Sequence, residues 1–407
     1  MSSTARATAL AAACFAASLA AQGPRPNGPA TVFDGARLIA GDGRVIERST
    51  FIVEGGMFAN VGAQGEVTVP AGAARVDLTG KTVMPALVDA HTHLGYRKDG
   101  TFLAENFTPE TLQYELEQFA SYGVAAVASA GTDRGDLTLL LRDEPAARHG
   151  GVVVRTAWRG LAPPDAGPNP PMRAAPYGVS TDEEARRDVR ELAAKKADFV
   201  KIWVDDRNGS VPKLSPPLYR AIIDEAHKHN LRVFAHIATL DDAKDLLRSG
   251  VDGFLHVMRD RPVDDEVLRL LAERPQVFFT MTLFGPSQAK GDDWPRLLQN
   301  IGRLNSAGVR LALGTDVGGA SAGGRFGWTE HAELEHMVTA GLTPAQAIAA
   351  ATRTAAEVLR LTDLGTIAAG KSASFLVLEG NPLERISNTQ RIARVYLQGH
   401  EVRRATD

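Results

Sequence analysis

Residues 82–93 read Thr-Val-Met-Pro-Ala-Leu-Val-Asp-Ala-His-Thr-His, an apolar run that ends in the two histidines His91 and His93. The run has the length and composition of a buried strand. One residue separates the histidines, so both side chains project from the same side of an extended backbone. We therefore expect a strand that places two imidazoles at its carboxyl end.

Apolar runs of this kind recur along the chain and alternate with amphipathic helical stretches. Eight of them are present: Thr82–Val88, Val124–Ala128, Val152–Thr156, Phe199–Val204, Leu231–His236, Gly253–His256, Val277–Met281 and Arg310–Gly314. Between the runs, Thr108-Pro109 and Ser215-Pro216 have the pattern that begins helices, and Gly123, Gly250 and Gly308 the pattern that ends them. The sequence predicts an α/β fold, a (β/α)8 barrel of the TIM type. An open doubly wound sheet would need a glycine-rich phosphate loop after the first strand, where this chain has His-Thr-His.

Both ends of the chain differ from the middle, because short β-prone runs there are separated by Gly- and Pro-containing turns. The runs are Ala36–Ile39, Thr50–Val53, Val67–Val69, Ala74–Leu78, Ser374–Leu378 and Arg394–Leu397. We predict that residues 28–81 and 362–407 form one small β-sandwich domain. Residues 82–361 are then the metal-dependent catalytic barrel.

Further polar residues lie where the predicted barrel strands end. Lys201 interrupts the fourth run, His236 and His256 end the fifth and sixth, and Asp316 follows the eighth. The carboxyl ends of barrel strands converge on one face, and imidazoles with a carboxylate suit zinc or a similar divalent ion. Taken singly, a strand-end histidine is often structural, Asp316 could cap a helix, and Lys201 could extend its amine to solvent. Together they predict a site for one or two metal ions, with zinc preferred: His91, His93, Lys201, His236, His256 and Asp316.

Composition excludes several other classes of protein. The chain has 407 residues, of which 44% are hydrophobic, and a net charge of −3, so a large core is expected and a nucleic-acid partner is not. Its single cysteine, Cys14, excludes a structural disulfide and a thiolate metal site. We expect a small-molecule substrate, and the sequence leaves the oligomeric state open, a homo-oligomer included.

The N-terminus has the pattern of a signal peptide over residues 1–21. Arg6 precedes the apolar run Ala7–Ala17, and small residues follow as far as Ala21. We predict a secreted or periplasmic protein without a membrane span after cleavage. A lipid anchor at Cys14 is disfavoured because Ala11 stands where a leucine is usual. A disordered Ala-rich tail is the alternative.

The stretch Val83–His93 resembles the hallmark of the amidohydrolase superfamily. The split β domain, Gly314-Thr315-Asp316 after the last strand, and the tail Leu364–Ala373 agree with it, so the resemblance covers nearly the whole mature chain. Within the superfamily, Phe199–Ile202 is similar to the branch of imidazolonepropionase-like and prolidase-like (Xaa-Pro dipeptidase-like) enzymes.

The resemblance implies a role for each predicted ligand. His91, His93 and Asp316 would bind the more buried ion, and His236 and His256 a second one. Lys201, carboxylated by carbon dioxide, would bridge the two ions, and Asp316 would carry the proton from a metal-activated water to the leaving group. Burial in an apolar barrel favours the neutral lysine that carboxylation requires.

Two departures from the family concern the substrate. Ala238 stands where prolidase-like relatives often carry a second histidine, and Asp205 and Asp206 replace a Gly-rich turn. We interpret both aspartates as solvated loop carboxylates, with a further metal ligand as the alternative.

Loops after the strands contain residues that could bind a substrate, and an arginine among them could hold a substrate carboxylate. The candidates are Tyr96, Arg159, Arg207, Arg259 and Arg325. The loops 162–180 and 318–327 could form a lid.

The leading functional prediction is an exported enzyme that hydrolyses a C–N bond of a dipeptide, an N-acyl amino acid or a cyclic amide. A lactone or phosphoester hydrolase is the alternative enzyme, because the same activated water attacks C–O or P–O centres. A non-catalytic metal- or ligand-binding barrel protein is the alternative outside enzymes. The proton-shuttle position of Asp316 argues against it.

Overall fold

The structure is a computed structural model that describes residues 29–146, 150–319 and 324–403. Its strands are β1 (Thr31–Asp34), β2 (Arg37–Ile39), β3 (Val45–Ile46), β4 (Ser49–Glu54), β5 (Met57–Ala63), β6 (Ala74–Asp77), β7 (Thr82–Pro85), β8 (Leu87–Thr92), β9 (Arg97–Lys98), β10 (Thr101–Phe102), β11 (Val124–Ser129), β12 (Val153–Thr156), β13 (Leu161–Ala162), β14 (Tyr177–Gly178), β15 (Val200–Val204), β16 (Val233–Ile237), β17 (Gly253–Leu255), β18 (Phe278–Thr280), β19 (Arg310–Ala312), β20 (Phe375–Leu378), β21 (Ile392–Leu397) and β22 (His400–Glu401). Its α-helices are α1 (Pro109–Ser121), α2 (Leu137–Asp143), α3 (Asp182–Ala194), α4 (Pro216–Lys228), α5 (Leu240–Ser249), α6 (Asp265–Ala272), α7 (Phe284–Ala289), α8 (Trp294–Ser306), α9 (Trp328–Thr339), α10 (Pro344–Ala349) and α11 (Ala355–Val358).

Parallel strands alternating with helices make up the middle of the chain, which confirms the predicted α/β class. One sheet has the order β12-β11-β8, and a second runs from β14 through β13 and β15 to β19. Backbone hydrogen bonds also join the two sheets. Ala90 donates to Leu313 at 3.0 Å beside β19, and Asp198 donates to Thr156 at 2.9 Å between β12 and β15.

Helices α1 and α5 begin and end where their sequences predict. Thr108 caps α1 by accepting the N–H of Thr111, with Pro109 in the first turn. Thr239 caps α5 in the same way, and that helix ends at Gly250, whose φ of 100° suits a residue without a Cβ. In the part of the chain that the structure describes, no helix combines the length and the apolar character needed to cross a bilayer.

Two further sheets contain the terminal strands: β5-β4-β1-β6 is built from the N-terminal part alone, and β22-β21-β20-β7-β2-β3 combines strands from both ends of the chain. Their inner faces contain an aromatic cluster. Phe33 stacks on Phe51 with ring centroids 4.9 Å apart, and Phe375 stacks on Tyr396 at 4.7 Å. Burial of these large rings holds the N-terminal and C-terminal strands together.

Two strand predictions need correction. The run Thr82–Val88 is not one strand, because β7 pairs with β20 and β2 in the terminal sheet and β8 begins the parallel set after Ala86. The run Val67–Val69 is not a strand, because it lies between the turn at residues 64–66 and Pro70, which has no N–H for a ladder.

Candidate metal centre

Five of the six predicted ligands lie near or beyond the carboxyl ends of parallel strands, and the sixth, Lys201, is the second residue of its strand. His91 lies in β8, Lys201 in β15 and His236 in β16, whereas His256 directly follows β17 and Asp316 lies beyond β19. β15, β16, β17 and β19 lie in one parallel sheet, and the hydrogen bond from Ala90 to Leu313 joins β8 to the segment after β19, so the carboxyl ends of these strands lie along one edge.

The tightest group consists of His91, His93 and Asp316. Asp316 Oδ1 lies 3.1 Å from His93 Nε2 and 3.4 Å from His91 Nε2. One ligand atom from each residue lies within 4.8 Å of the others, which is close enough for one ion to bind all three. The Thr132 hydroxyl lies 2.7 Å from His93 Nδ1, so Nε2 of that ring is the nitrogen that faces Asp316.

His236 and His256 lie next to these three residues. The His256 ring centroid lies 4.9 Å from that of His91 and 4.4 Å from that of His236. His256 Nδ1 lies 2.6 Å from the Thr282 hydroxyl, which leaves Nε2 for another partner. The backbone of His256 has a φ of 122°, a strained value for a residue with a side chain, and such strain is concentrated at functional sites.

Lys201 is fully buried beside this group. Its Nζ has no hydrogen-bond partner in the part of the chain that the structure describes, and it lies 5.1 Å from the centre of the Trp203 ring. Burial lowers the pKa of Lys201 to about 7, although the negative charge of Asp316 acts to raise it. Gly131 makes room for the side chain, because a Cβ at this glycine would lie 2.8 Å from the Lys201 Cβ.

Protonation states at the centre suit a cation. Burial holds the pKa of His91 and that of His256 well below the usual histidine value, and it lowers the pKa of His236 to about 4. For Asp316, burial raises the pKa, but His91, His93 and Lys201 outweigh it and hold the pKa below the usual range. Neutral imidazoles and an ionised carboxylate are the forms that bind metal ions. In the described residues, His91 Nε2 and His256 Nε2 are also buried without hydrogen-bond partners, as ligand atoms would be.

Asp205 belongs to this centre, and its interpretation as a solvated loop carboxylate is wrong. Its Oδ2 accepts a hydrogen bond from His236 Nε2 at 3.0 Å, and its side chain is only 10% exposed. Burial acts to raise the pKa of Asp205, but the hydrogen bonds from His236 and the Arg207 backbone, with nearby positive charge, outweigh burial and lower the pKa to about 2. A sequence signal was available, because Asp205 directly follows β15 and β15 pairs with the strand that contains His236.

A buried carboxyl pair beneath the centre was missed by the sequence analysis. Asp89 accepts the backbone N–H of His91 at 2.8 Å and the Thr315 hydroxyl at 2.6 Å, and it adjoins Glu330 of α9. Burial raises the pKa of Asp89, and burial together with the charge of Asp89 raises that of Glu330 well above its usual value, so the protonated form of Glu330 is favoured beside Asp89. The pair fixes the backbone next to His91 and Asp316. The sequence signal was Asp89 inside an otherwise apolar strand.

The five residues predicted to bind substrate do not converge. The buried Tyr96 donates its hydroxyl to the Thr132 carbonyl at 2.5 Å. Arg159 donates to Ala175 and stacks on Tyr177, and Arg207 donates to Ala166 and Gly167. Arg325 stacks on Trp328 and lines a cavity of about 690 Å³ with Arg97.

Arg259 is the candidate whose charge acts on the centre, because it lowers the pKa of both Asp205 and His256. The roles of all five residues in substrate binding stay predictions.

Comparison with known proteins gives consistent matches over most of the chain. The sequence model of the amidohydrolase family matches residues 82–402. Ochratoxinase of Aspergillus niger is 26% identical over 88% of this chain and 82% of its own length. Imidazolonepropionase of Deinococcus radiodurans is 26% identical over 89% of this chain and 94% of its own. A protein of Bifidobacterium longum, provisionally assigned as a prolidase, has a similar structure, with a TM-score of 0.76 and 26% identity over 93% of this chain and 95% of its own.

Proposed function

Because this chain belongs to the amidohydrolase family, we propose that it is an exported metal-dependent amidohydrolase that cleaves a carbon–nitrogen bond with activated water. One observation carries the proposal. His91, His93 and Asp316 place their ligand atoms within 4.8 Å of one another in a buried site. His256 and Lys201 lie beside them with buried nitrogens that have no hydrogen-bond partner in the described residues.

The residues at the site fit one or two zinc ions. His91, His93 and Asp316 would hold the first, and His236 and His256 the second. When bound, divalent ions lower the pKa of water toward neutrality and polarise the carbonyl under attack. Asp316 accepts the proton of the attacking water and delivers it to the leaving nitrogen.

Carboxylation of Lys201 would supply the bridge between the two ions. The neutral amine attacks carbon dioxide, a C–N bond forms, and one proton leaves, which converts a buried amine into a buried carbamate anion. Burial favours the neutral amine that this step needs. Gly131 leaves space for the Lys201 side chain and Gly160 leaves space for the Trp203 ring beside it, because a Cβ added at either glycine would collide with that side chain.

We further propose that the parallel strands close into a (β/α)8 barrel over residues 82–361, beside a β-sandwich domain of residues 28–81 and 362–407. The hydrogen bond from Ala90 to Leu313 supports closure, because it joins the first parallel strand to the segment after the last. The shared aromatic cluster of the two terminal sheets supports the second domain.

For the substrate, we propose a dipeptide, an N-acyl amino acid or a cyclic amide. The names of the similar proteins, a prolidase and an imidazolonepropionase among them, support an amide bond next to a carboxylate or in a ring. The position of Arg259 supports a carboxylate, since its positive charge already acts on two groups of the centre.

The proposed function is tested by metal analysis of the purified protein followed by hydrolysis assays. The panel contains dipeptides, N-acyl amino acids and cyclic amides, with a lactone and a phosphoester for comparison. We expect one or two zinc ions per chain, cleavage of an amide, loss of activity on chelation and its return on addition of Zn²⁺. A protein that binds no divalent ion would rule out the metal centre. Activity that survives complete chelation would rule out its part in catalysis.

Replacement of Arg259 with alanine is expected to raise KM about 10- to 100-fold for substrates with a free carboxylate, because a charge-assisted hydrogen bond contributes about 1.5–3 kcal/mol. kcat should change little, and the KM of matching substrates with an amidated carboxyl group should stay as it is. Arg269→Ala, which removes an arginine paired with Glu273 on α6, is the matched control. An unchanged KM for the carboxylate substrates would exclude Arg259 as their binding residue.

Export is proposed from the sequence of residues 1–21, which lie outside the described residues. N-terminal sequencing of protein recovered from the periplasm or the medium tests it, with cleavage expected near Ala20 or Ala21.

A further inference from the structure

Asp205 uses both carboxylate oxygens in hydrogen bonds at the edge of the metal centre. Its Oδ2 accepts from His236 Nε2 at 3.0 Å, and its Oδ1 accepts from the backbone N–H of Arg207 at 2.9 Å. Two fixed donors therefore orient the carboxylate, which lies at the carboxyl end of β15, beside β16.

The hydrogen bond to Asp205 determines which nitrogen of His236 can bind a cation. A neutral imidazole has one N–H and one nitrogen with a free lone pair. Because an ionised carboxylate only accepts, the proton of His236 lies on Nε2, and Nδ1 has the lone pair. A carboxylate on the far nitrogen also makes the imidazole a stronger ligand.

The other imidazoles are held differently. The hydroxyls of Thr132 and Thr282 contact Nδ1 of His93 and of His256, which leaves Nε2 in both rings. His236 presents the opposite nitrogen, and its hydrogen-bond partner at the centre carries a full charge. Its orientation therefore depends on an anion, whereas neutral hydroxyls are sufficient for the other two.

We infer that Asp205 is a positioning residue that fixes the tautomer and orientation of His236, so that Nδ1 is available to the second metal ion. The inference rests on the proposed metal centre and assigns a role to a residue outside the predicted ligand set.

The turn after Asp205 is tied by hydrogen bonds to the loop that contains Ala166 and Gly167. Arg207, whose N–H binds Asp205, donates from its guanidinium to the carbonyls of Ala166 and Gly167 at 2.8 and 2.7 Å. Arg207 and Asn208 both have positive φ values, 50° and 59°, so the turn keeps a conformation that is unfavourable unless its contacts hold it. Asp205 is thereby kept in place before any ion binds.

The test compares Asp205→Ala and Asp205→Asn with Asp206→Asn, which makes the same charge change at the exposed neighbouring residue. Metal-free full-length protein is titrated with Zn²⁺ against a chromogenic chelator. We expect the second ion to bind about 10- to 100-fold more weakly in Asp205→Ala, with a smaller loss in Asp205→Asn, whose amide oxygen still accepts the hydrogen bond. The affinity for the first ion should stay within about twofold of wild type in all variants. In Asp206→Asn, the affinity for the second ion should also stay within about twofold.

A second measurement needs neither metal nor activity. In metal-free protein labelled with ¹⁵N-histidine, we expect His236 in the Nε2–H form in the wild type and a mixture of both tautomers in Asp205→Ala. Wild-type affinity for the second ion in Asp205→Ala would overturn the inference and leave the metal centre intact. A wild-type protein that binds no ion would overturn both, so the two failures are distinguishable.

Discussion

Asp316→Asn is expected to lower kcat/KM by about a thousandfold or more, within the range of about 10²–10⁴ that proton transfer by a positioned side chain contributes. The substitution preserves the shape of the side chain but removes the charge that lies 3.1 Å from His93 Nε2 and 3.4 Å from His91 Nε2. It also removes the ability to accept a proton. A thousandfold loss corresponds to about 4 kcal/mol of transition-state stabilisation.

The measurement is kcat/KM on the best amide of the panel, with the metal content determined on the same sample. Asp206→Asn is the control, because this exposed aspartate follows Asp205 and lies outside the predicted ligand set. If Asp316→Asn retains both its ions and its activity within a factor of ten, Asp316 is not the proton carrier. If activity and metal are lost together and both return at high Zn²⁺, the residue acts only as a ligand.

Replacement of Lys201 is expected to remove the second ion and to lower activity by more than about a hundredfold, the upper end of the loss caused by partners that only orient a ligand. The lysine is fully buried and its Nζ has no hydrogen-bond partner in the described residues, so no hydrogen bond stabilises its charge there. Lys201→Ala also opens space next to Gly131, into which a short carboxylic acid can bind.

Three observations test this prediction. The native mass of the wild type should include the added carboxyl group, Lys201→Ala should hold one ion, and acetate or propionate should restore part of its activity. Lys201→Met, which fills the same space without a charge, separates loss of the bridge from loss of packing, and Lys228→Ala on the exposed face of α4 is the surface control. Full activity in Lys201→Met would leave a mononuclear site as the correct description.

The predicted ligand set could be recognised in the sequence because its members share a position in the fold. His91, His236, His256 and Asp316 each lie at or just beyond the carboxyl end of a parallel strand, and the pairing of these strands is set by apolar runs that a sequence displays. The family resemblance of Val83–His93 is likewise confirmed by the match over residues 82–402.

Other features depend on contacts that have no local signature. The interpretation of Asp205 as a solvated carboxylate fails because its hydrogen-bond partner, His236, is brought beside it by strand pairing and lies 31 residues further along the chain. The arginines were named from loop positions, but the direction of a long side chain depends on which carbonyls or rings lie nearby, as Arg159 and Arg207 illustrate. The division of residues 82–88 into β7 and β8 follows Pro85, a local signal for a break, but the pairing of β7 with β20, almost 300 residues away, has no local pattern to mark it.

The pairing of β7 with β20 also has a consequence for how the protein is made. Lys81 forms an ion pair with Glu379 across 298 residues, next to the strand that leads into His91. While the ribosome is still producing the middle of the chain, β7 has no β20 to pair with, and an unpaired strand edge promotes association with other chains. Contacts this distant in sequence also form slowly. We therefore expect the yield of folded protein to depend on the C-terminal strands more than their small size suggests, with chaperones needed until those strands emerge.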